Sequence, residues 1–199
     1  MFLGHYATAL VPYQKTRSRG ATAPFWLFLV AAQFLDFAMI ALVSLGLEGF
    51  EPRLFEDAAF ATMQTEMFYS HDLAPVLGWT VAFGLGVWIA TRDRITAWWC
   101  AGLVAFHEVL DLAVGFEHYV LGEGTPAVGF NLYHRAPVFA LLIEAAFCAG
   151  IVAWFAYRRK ASGGPLSART QWLLYLVLVG GTLATIPLAN QPLASLIAH

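Results

Sequence analysis

Charge is what this 199-residue chain lacks most. Asp, Glu, Lys and Arg together make up 12% of it, where soluble domains carry about 25%. Hydrophobic residues reach 59% and mean hydropathy is +0.65, so a water-soluble globule is excluded. The net charge of −2 leaves no concentrated basic surface, which excludes a nucleic-acid partner. Cysteine is equally scarce. Cys100 and Cys148 both fall in apolar segments and read as small packing residues, and no C-x-x-C pair offers a thiolate zinc site. There is no internal repeat and no low-complexity run. The apolar N-terminus has neither a basic leader nor a small-residue cleavage pattern, so it is expected to be retained.

Long apolar runs are abundant instead. A crossing needs about 20 apolar residues, and five such spans can be drawn: Ala21 to Leu47, Leu73 to Ala90, Ile95 to Gly115, Ala136 to Tyr157 and Thr170 to Ala189. Pro187 and Pro192 loosen the end of the last. The expectation is one all-α integral membrane domain over residues 1–199, with a five-helix bundle across 21–189. The stretch Met1 to Pro12 is too short to cross. It forms either a half-helix entering the membrane or a helix on its surface.

Basic residues set the orientation. Lys15, Arg17 and Arg19 precede the first span, Arg92 and Arg94 separate the second and third, and Arg158, Arg159, Lys160 and Arg169 separate the fourth and fifth. These three segments alternate onto one side, expected to be cytoplasmic. The other loops carry Glu51, Glu56, Asp57, Glu66, Glu117 and Glu123, with Arg53 and Arg135 as their basic residues, and are expected to face outward. Within the long outer loop, Glu56 to Phe68 is expected to form a short interfacial helix. Gly122 to Gly129 reads as a turn-rich loop.

Against this background the ionisable residues inside the spans stand out, because each costs about 2.5–3.5 kcal/mol at membrane depth. In Phe106-His107-Glu108-Val109-Leu110-Asp111, His107 and Asp111 are four apart and share one helix face, a ready pair of metal ligands. Asp36 lies about sixteen residues into the first span, roughly 24 Å along a straight helix. His71 opens the second span. If Met1 to Pro12 rises from the basic surface as a half-helix, His5 climbs roughly 15 Å towards the same level. Asp36, His71, His107 and Asp111 thus converge from three spans, which points to a metal site over a purely structural polar cluster.

His118 would sit about 16 Å beyond His107 on a continuous helix, so Gly115 is expected to break the helix and let it fold back. Glu108 is turned about 100° from the His107 face and needs another partner. Glu144 is a further buried carboxylate in the fourth span, His134 an interfacial residue and His199 a tail.

Gly4-His5-Tyr6-Ala7, Gln33-Phe34-Leu35-Asp36, Tyr69-Ser70-His71 and His107-x-x-x-Asp111 followed by His118 resemble, in order and wording, the bacterial membrane-bound metal-dependent hydrolases, the LexA-regulated inner-membrane type. The resemblance covers about residues 1 to 145. It implies an inner-membrane, multi-pass protein related to zinc-dependent phospholipase C-like enzymes, with His5, Asp36, His71, His107, Asp111 and His118 as metal ligands. The chain departs from the pattern at Asp72 and Glu108, both of which add acidity.

The expectation is therefore a metallohydrolase with one or two divalent ions, zinc or manganese, since the donors are nitrogen and oxygen. Glu108, Asp72 and Glu144 are the candidate general bases. Membrane lipids surround the chain, and a lipid or lipid-linked (phospho)ester is the expected substrate. The alternatives are a proton- or metal-coupled transporter and a non-catalytic membrane adaptor.

Overall fold

The computed structural model describes residues 1–17 and 23–197. Arg19 of the first basic segment, the beginning of the first expected span and His199 lie outside the described residues. The described residues are mostly helical and contain four helices long and apolar enough to cross a membrane. A fifth crossing exists if one bent pair is counted as a single span.

That bent pair overturns the expectation of a continuous first span. Helix α3 (Phe25–Ala32) and helix α4 (Phe34–Ser44) meet at Gln33 at 57°. Neither proline nor glycine causes the bend. The buried Gln33 side chain donates to the Asp36 carboxylate one turn on, so a polar tie at the joint accompanies the break. Beyond it, α4 buries only Leu35.

The centre of the bundle is α6 (Arg94–Val114). Its buried positions (Thr96, Ala97, Cys100, Leu103, Val104, His107, Glu108, Leu110, Asp111 and Val114) recur at helical spacing and meet neighbours on both sides. Before it runs α5 (Leu73–Thr91), which fully buries only Val76 and Val87 and packs Trp79 and Phe83 against the core. A tight turn joins the two. Arg92 takes the left-handed conformation that ends α5, and Asp93 caps α6 by accepting from the Ile95 N–H at 2.9 Å. Gly84 lets the pair close, since a Cβ there would lie 2.9 Å from that of Ala101.

The N-terminal segment is inside the bundle, not on its surface. Helices α1 (Phe2–Thr8) and α2 (Leu10–Arg17) pack on a long helix α8 (Pro137–Ala161), with Ala7 and Leu10 in one cluster with Cys148, Val152, Phe155 and Leu178. Both cysteines are free and buried in apolar clusters, as packing residues. Between α6 and α8 lies the short α7 (Leu132–Arg135). The last span, Ala168–Ala189, is irregular: α9 (Ala168–Leu174) passes through a π-helical turn at Tyr175–Gly180 into α10 (Gly181–Ala184), then a 3-10 turn at Ile186–Ala189 containing Pro187. A short α11 (Leu193–Ile197) follows.

Two small hairpins cover the end of the bundle opposite the Arg92–Asp93 turn. Strands β1 (Gly49–Glu51) and β2 (Gln64–Glu66) pair antiparallel, so the interfacial helix expected over Glu56 to Phe68 does not form. A single 3-10 turn at Phe55–Asp57 stands in its place. Phe60, Met63 and Met67 recur at helical spacing, but pairing of Gln64–Glu66 with β1 takes that stretch into a strand. Strands β3 (His118–Tyr119) and β4 (Ala127–Val128) form the second hairpin, turning at Gly122 and leaving β4 at Gly129 against Leu112 of α6, both glycines with positive φ.

Candidate metal centre

Five side chains from four elements meet beside the bend in the first span. His5 comes from α1, Asp36 from α4, His71 from the turn entering α5, and His107 and Asp111 from α6. His5, His71, His107 and Asp111 are buried, and the Asp36 side chain is 19% exposed. Two overlapping groups have ligand atoms within reach of one ion: His5, His107 and Asp111, and Asp36, His71 and His107.

The donor separations suit coordination. Bonds of about 2.0–2.1 Å in a tetrahedron put neighbouring donors about 3.3 Å apart. His107 Nε2 lies 3.2 Å from Asp111 Oδ2 and 3.7 Å from Asp36 Oδ1, while His71 Nε2 lies 3.4 Å from Asp36 Oδ1 and 3.9 Å from Asp111 Oδ2. His5 Nε2 approaches the other oxygen, Asp111 Oδ1, to 3.2 Å without the alignment of a hydrogen bond. The Met1 nitrogen also donates to Oδ1. The His5 and His107 rings stack at 3.5 Å and 9°.

Hydrogen bonds at the far side of each ring determine which nitrogen is free. His107 Nδ1 lies 2.8 Å from the carbonyl oxygen of Ala32, an acceptor only, so Nδ1 carries the hydrogen and Nε2 a bare lone pair. Ala32 is the residue just before the bend, which brings its carbonyl within reach. His71 Nδ1 lies 2.8 Å from Ser70 Oγ, whose own hydrogen goes to Glu48 Oε2 at 2.8 Å. In the neutral ring its Nε2 is therefore bare as well.

Both nitrogens of His5 and Nε2 of His107 are buried without a hydrogen-bond partner. Leaving such atoms unpaired costs about 1–3 kcal/mol each. Buried His/Asp groups with inward lone pairs, carboxylates beside them and outward N–H groups anchored can hold a metal ion.

His118 stands beside this cluster and outside both groups. The chain leaves α6 at Gly115 and turns back, as the position of that glycine predicts. His118 then lies with Nδ1 2.8 Å from Glu108 Oε1 and its ring 5.5 Å from that of His71. Glu108 thus has the separate partner its angular offset required. Burial pulls the His118 pKa down, but the hydrogen bond and charge of Glu108 outweigh it and leave the imidazole above its ordinary range.

The other two carboxylates are occupied elsewhere. Asp72 accepts from the N–H groups of Tyr119 at 2.9 Å and Gly122 at 2.5 Å, tying the second hairpin to the start of α5. Glu144 accepts from the Gly4 N–H at 2.8 Å and the Tyr133 hydroxyl at 2.7 Å, holding α1 against α8.

The residues missed by reading the sequence are those behind the ligands: Glu48, Ser70 and the Ala32 carbonyl. Ser70 sits in the Tyr69-Ser70-His71 motif, but nothing local links it to Glu48. A cavity of about 750 Å³ lies beneath the hairpins, lined among others by Val43, Glu48, Glu66, Phe116, Tyr119 and His134 and by none of the five ligand candidates. Val43 is seven residues beyond Asp36 and so on the same face of α4. Comparison with family models, curated proteins and solved structures finds no match to this chain.

Proposed function

We propose that this chain is a bacterial inner-membrane, metal-dependent hydrolase that cleaves a lipid or lipid-linked ester or phosphoester. The observation that carries the reading is the set of His–Asp separations of 3.2–3.9 Å that link His71 Nε2 and His107 Nε2 to Asp36 and Asp111, with His5 Nε2 3.2 Å from Asp111. The resemblance to membrane-bound metal-dependent hydrolases points the same way.

One ion suits this geometry better than two, because His107 Nε2 belongs to both groups and has one lone pair. Nitrogen and carboxylate donors favour zinc or manganese. A divalent ion held there supplies Lewis acidity and an activated water at neutral pH. The two aspartates offset its charge, and the anchored imidazoles aim their lone pairs without reorganisation. Among the candidate bases, Glu108 keeps one buried oxygen, Oε2, without a partner, whereas both oxygens of Asp72 and of Glu144 accept hydrogen bonds. Glu108 is the base we favour.

The part-exposed Asp36 shares a face of α4 with Val43, which lines the cavity beneath the hairpins, and we take that face as the way in. The distribution of basic residues puts that end outward and the Lys15, Arg92 and Arg158 segments in the cytoplasm. A site with apolar helix faces around it suits a substrate that arrives through the lipid.

The bend at Gln33 favours a second reading, a proton- or metal-coupled transporter, since transporters place broken helices at their sites. One experiment separates the two. Protein purified without added metal is analysed for bound metal and assayed on phospholipid, acyl-ester and lipid-linked phosphoester panels with and without chelator. Chelator-sensitive product release supports the hydrolase. Stoichiometric metal without any hydrolysis favours the transporter, and folded protein without metal removes the hydrolase and metal-coupled transport.

A further inference from the structure

Glu48 lies at the end of the loop after α4, 22 residues from Ser70, and contacts none of the ligand atoms. It nevertheless accepts three hydrogen bonds from one short segment. Oε1 takes the N–H groups of Tyr69 at 2.8 Å and Ser70 at 2.7 Å, and Oε2 takes the Ser70 hydroxyl at 2.8 Å. Ser70 is fully buried and Glu48 is 7% exposed. The hydroxyl has one hydrogen. Given to Glu48, it leaves Oγ as the acceptor for His71 Nδ1–H at 2.8 Å.

We infer that Glu48 is a positioning residue for the metal centre, acting through Ser70 to hold His71 in the tautomer whose Nε2 is bare. This rests on the metal-centre reading above. The direction of the two hydrogens, and not merely the fold of the loop, is what Glu48 controls. A carboxylate can only accept, so the relay runs one way: His71 Nδ1–H to Ser70 Oγ, and Ser70 O–H to Glu48. Ligand histidines anchored by such partners commonly lose 10- to 100-fold in metal affinity when the partner is removed.

An isosteric change makes the inference sharp. In Glu48→Gln the amide oxygen can stay at the Oε1 position and keep both backbone N–H bonds, so the loop retains its tether. The amide nitrogen then stands where Oε2 was and donates to Ser70 Oγ. Ser70 Oγ could accept from both the amide and His71 Nδ1–H only by leaving its own buried hydrogen unpaired, so that hydrogen turns to His71 Nδ1 and the ring takes its proton on Nε2. That nitrogen, 3.4 Å from Asp36 Oδ1, becomes a donor and cannot ligate. The substitution removes no ring, no volume and no backbone contact, yet reverses the relay.

The test uses full-length, metal-free protein labelled with ¹⁵N at histidine, together with zinc titration by competition against a chromogenic chelator. In wild type, His71, assigned by its loss in His71→Gln, should show Nδ1 as the protonated nitrogen. Glu48→Gln should show Nε2 protonated and weaken zinc about 10- to 100-fold. Adding Ser70→Ala should abolish the dependence on residue 48, because the link is gone. Retention of the wild-type tautomer in Glu48→Gln overturns the proposal, as does an equal effect of Glu48→Gln with and without Ser70. If wild type binds no zinc but the tautomer reverses, the relay stands and the metal reading falls.

Discussion

Replacing Gly115 by alanine is expected to disturb Asp111 before it disturbs anything else. A Cβ at Gly115 would stand 2.7 Å from the Asp111 carbonyl oxygen and 3.0 Å from both Cα and Cβ of the same residue. Ordinary contact begins at 3.4 Å, so relief requires a movement of 3.4 − 2.7 = 0.7 Å at the tightest atom. The obstruction is backbone, which cannot swing aside as a long side chain would. Metal sites tolerate only about 0.2 Å in ligand distance. Even a third of that displacement, passed to the carboxylate, uses up the tolerance. Overpacking of this kind costs about 1–3 kcal/mol, and we expect metal affinity to fall at least tenfold with a modest drop in melting temperature. Gly102→Ala is the control within the same helix. Nothing lies within 4 Å of its added Cβ, so alanine should stabilise by about 0.5–1 kcal/mol and leave the metal unaffected. Metal content and competition titration in detergent, with thermal unfolding alongside, measure both. Wild-type affinity in Gly115→Ala would show that the turn yields away from Asp111 and would refute the argument.

Three further outcomes follow from named contacts. His5→Ala should lower metal affinity about as much as His107→Ala, and unchanged titration would reduce His5 to a ring stacked on His107. Single cysteines at Glu56 and Glu123 should react with an impermeant thiol reagent on intact cells and one at Arg159 should not, against a low background because Cys100 and Cys148 are buried; labelling at Arg159 would invert the orientation. Asp93 is held below its ordinary pKa by the Thr96 hydroxyl and then the Ile95 N–H. With the folded pKa depressed, its contribution is complete above the unfolded value near 3.8 and is lost as pH falls through the folded one. Asp93→Ala should therefore cost about 1 kcal/mol at pH 7 and progressively less towards pH 3 in thermal unfolding, whereas a pH-independent loss would contradict the cap.

Much of the architecture is legible in the residues because it is set by local periodicity and by the length needed to cross a bilayer. The runs around Leu73, Ile95, Ala136 and Thr170 become helices within a few residues of their expected limits. His107 and Asp111 share a face because four residues make about one turn. Gly115 marks the turn that brings His118 back. The bend at Gln33 is not legible in the same way, because the run from Phe25 to Ser44 contains no helix breaker. The β1–β2 hairpin escapes too, since three-residue strands of mixed polarity carry no usable period.

The sequence by itself determined the class, an apolar helical chain with helices long enough to cross a membrane, and which ionisable residues interrupt its apolar runs. It did so because hydropathy and helical spacing act over a few residues. The tertiary structure decided which of those residues meet. His5 reaches Asp111 across 106 positions, and His107 finds the Ala32 carbonyl across 75. His118 is set beside Glu108, while Asp72 and Glu144 are spent on the hairpin and on α1. Glu48 and Ser70, unremarkable in the chain, gain their place behind His71 only when the loop closes over the bundle. Hydrogen-bond direction depends on the partner across space, and no local pattern encodes it.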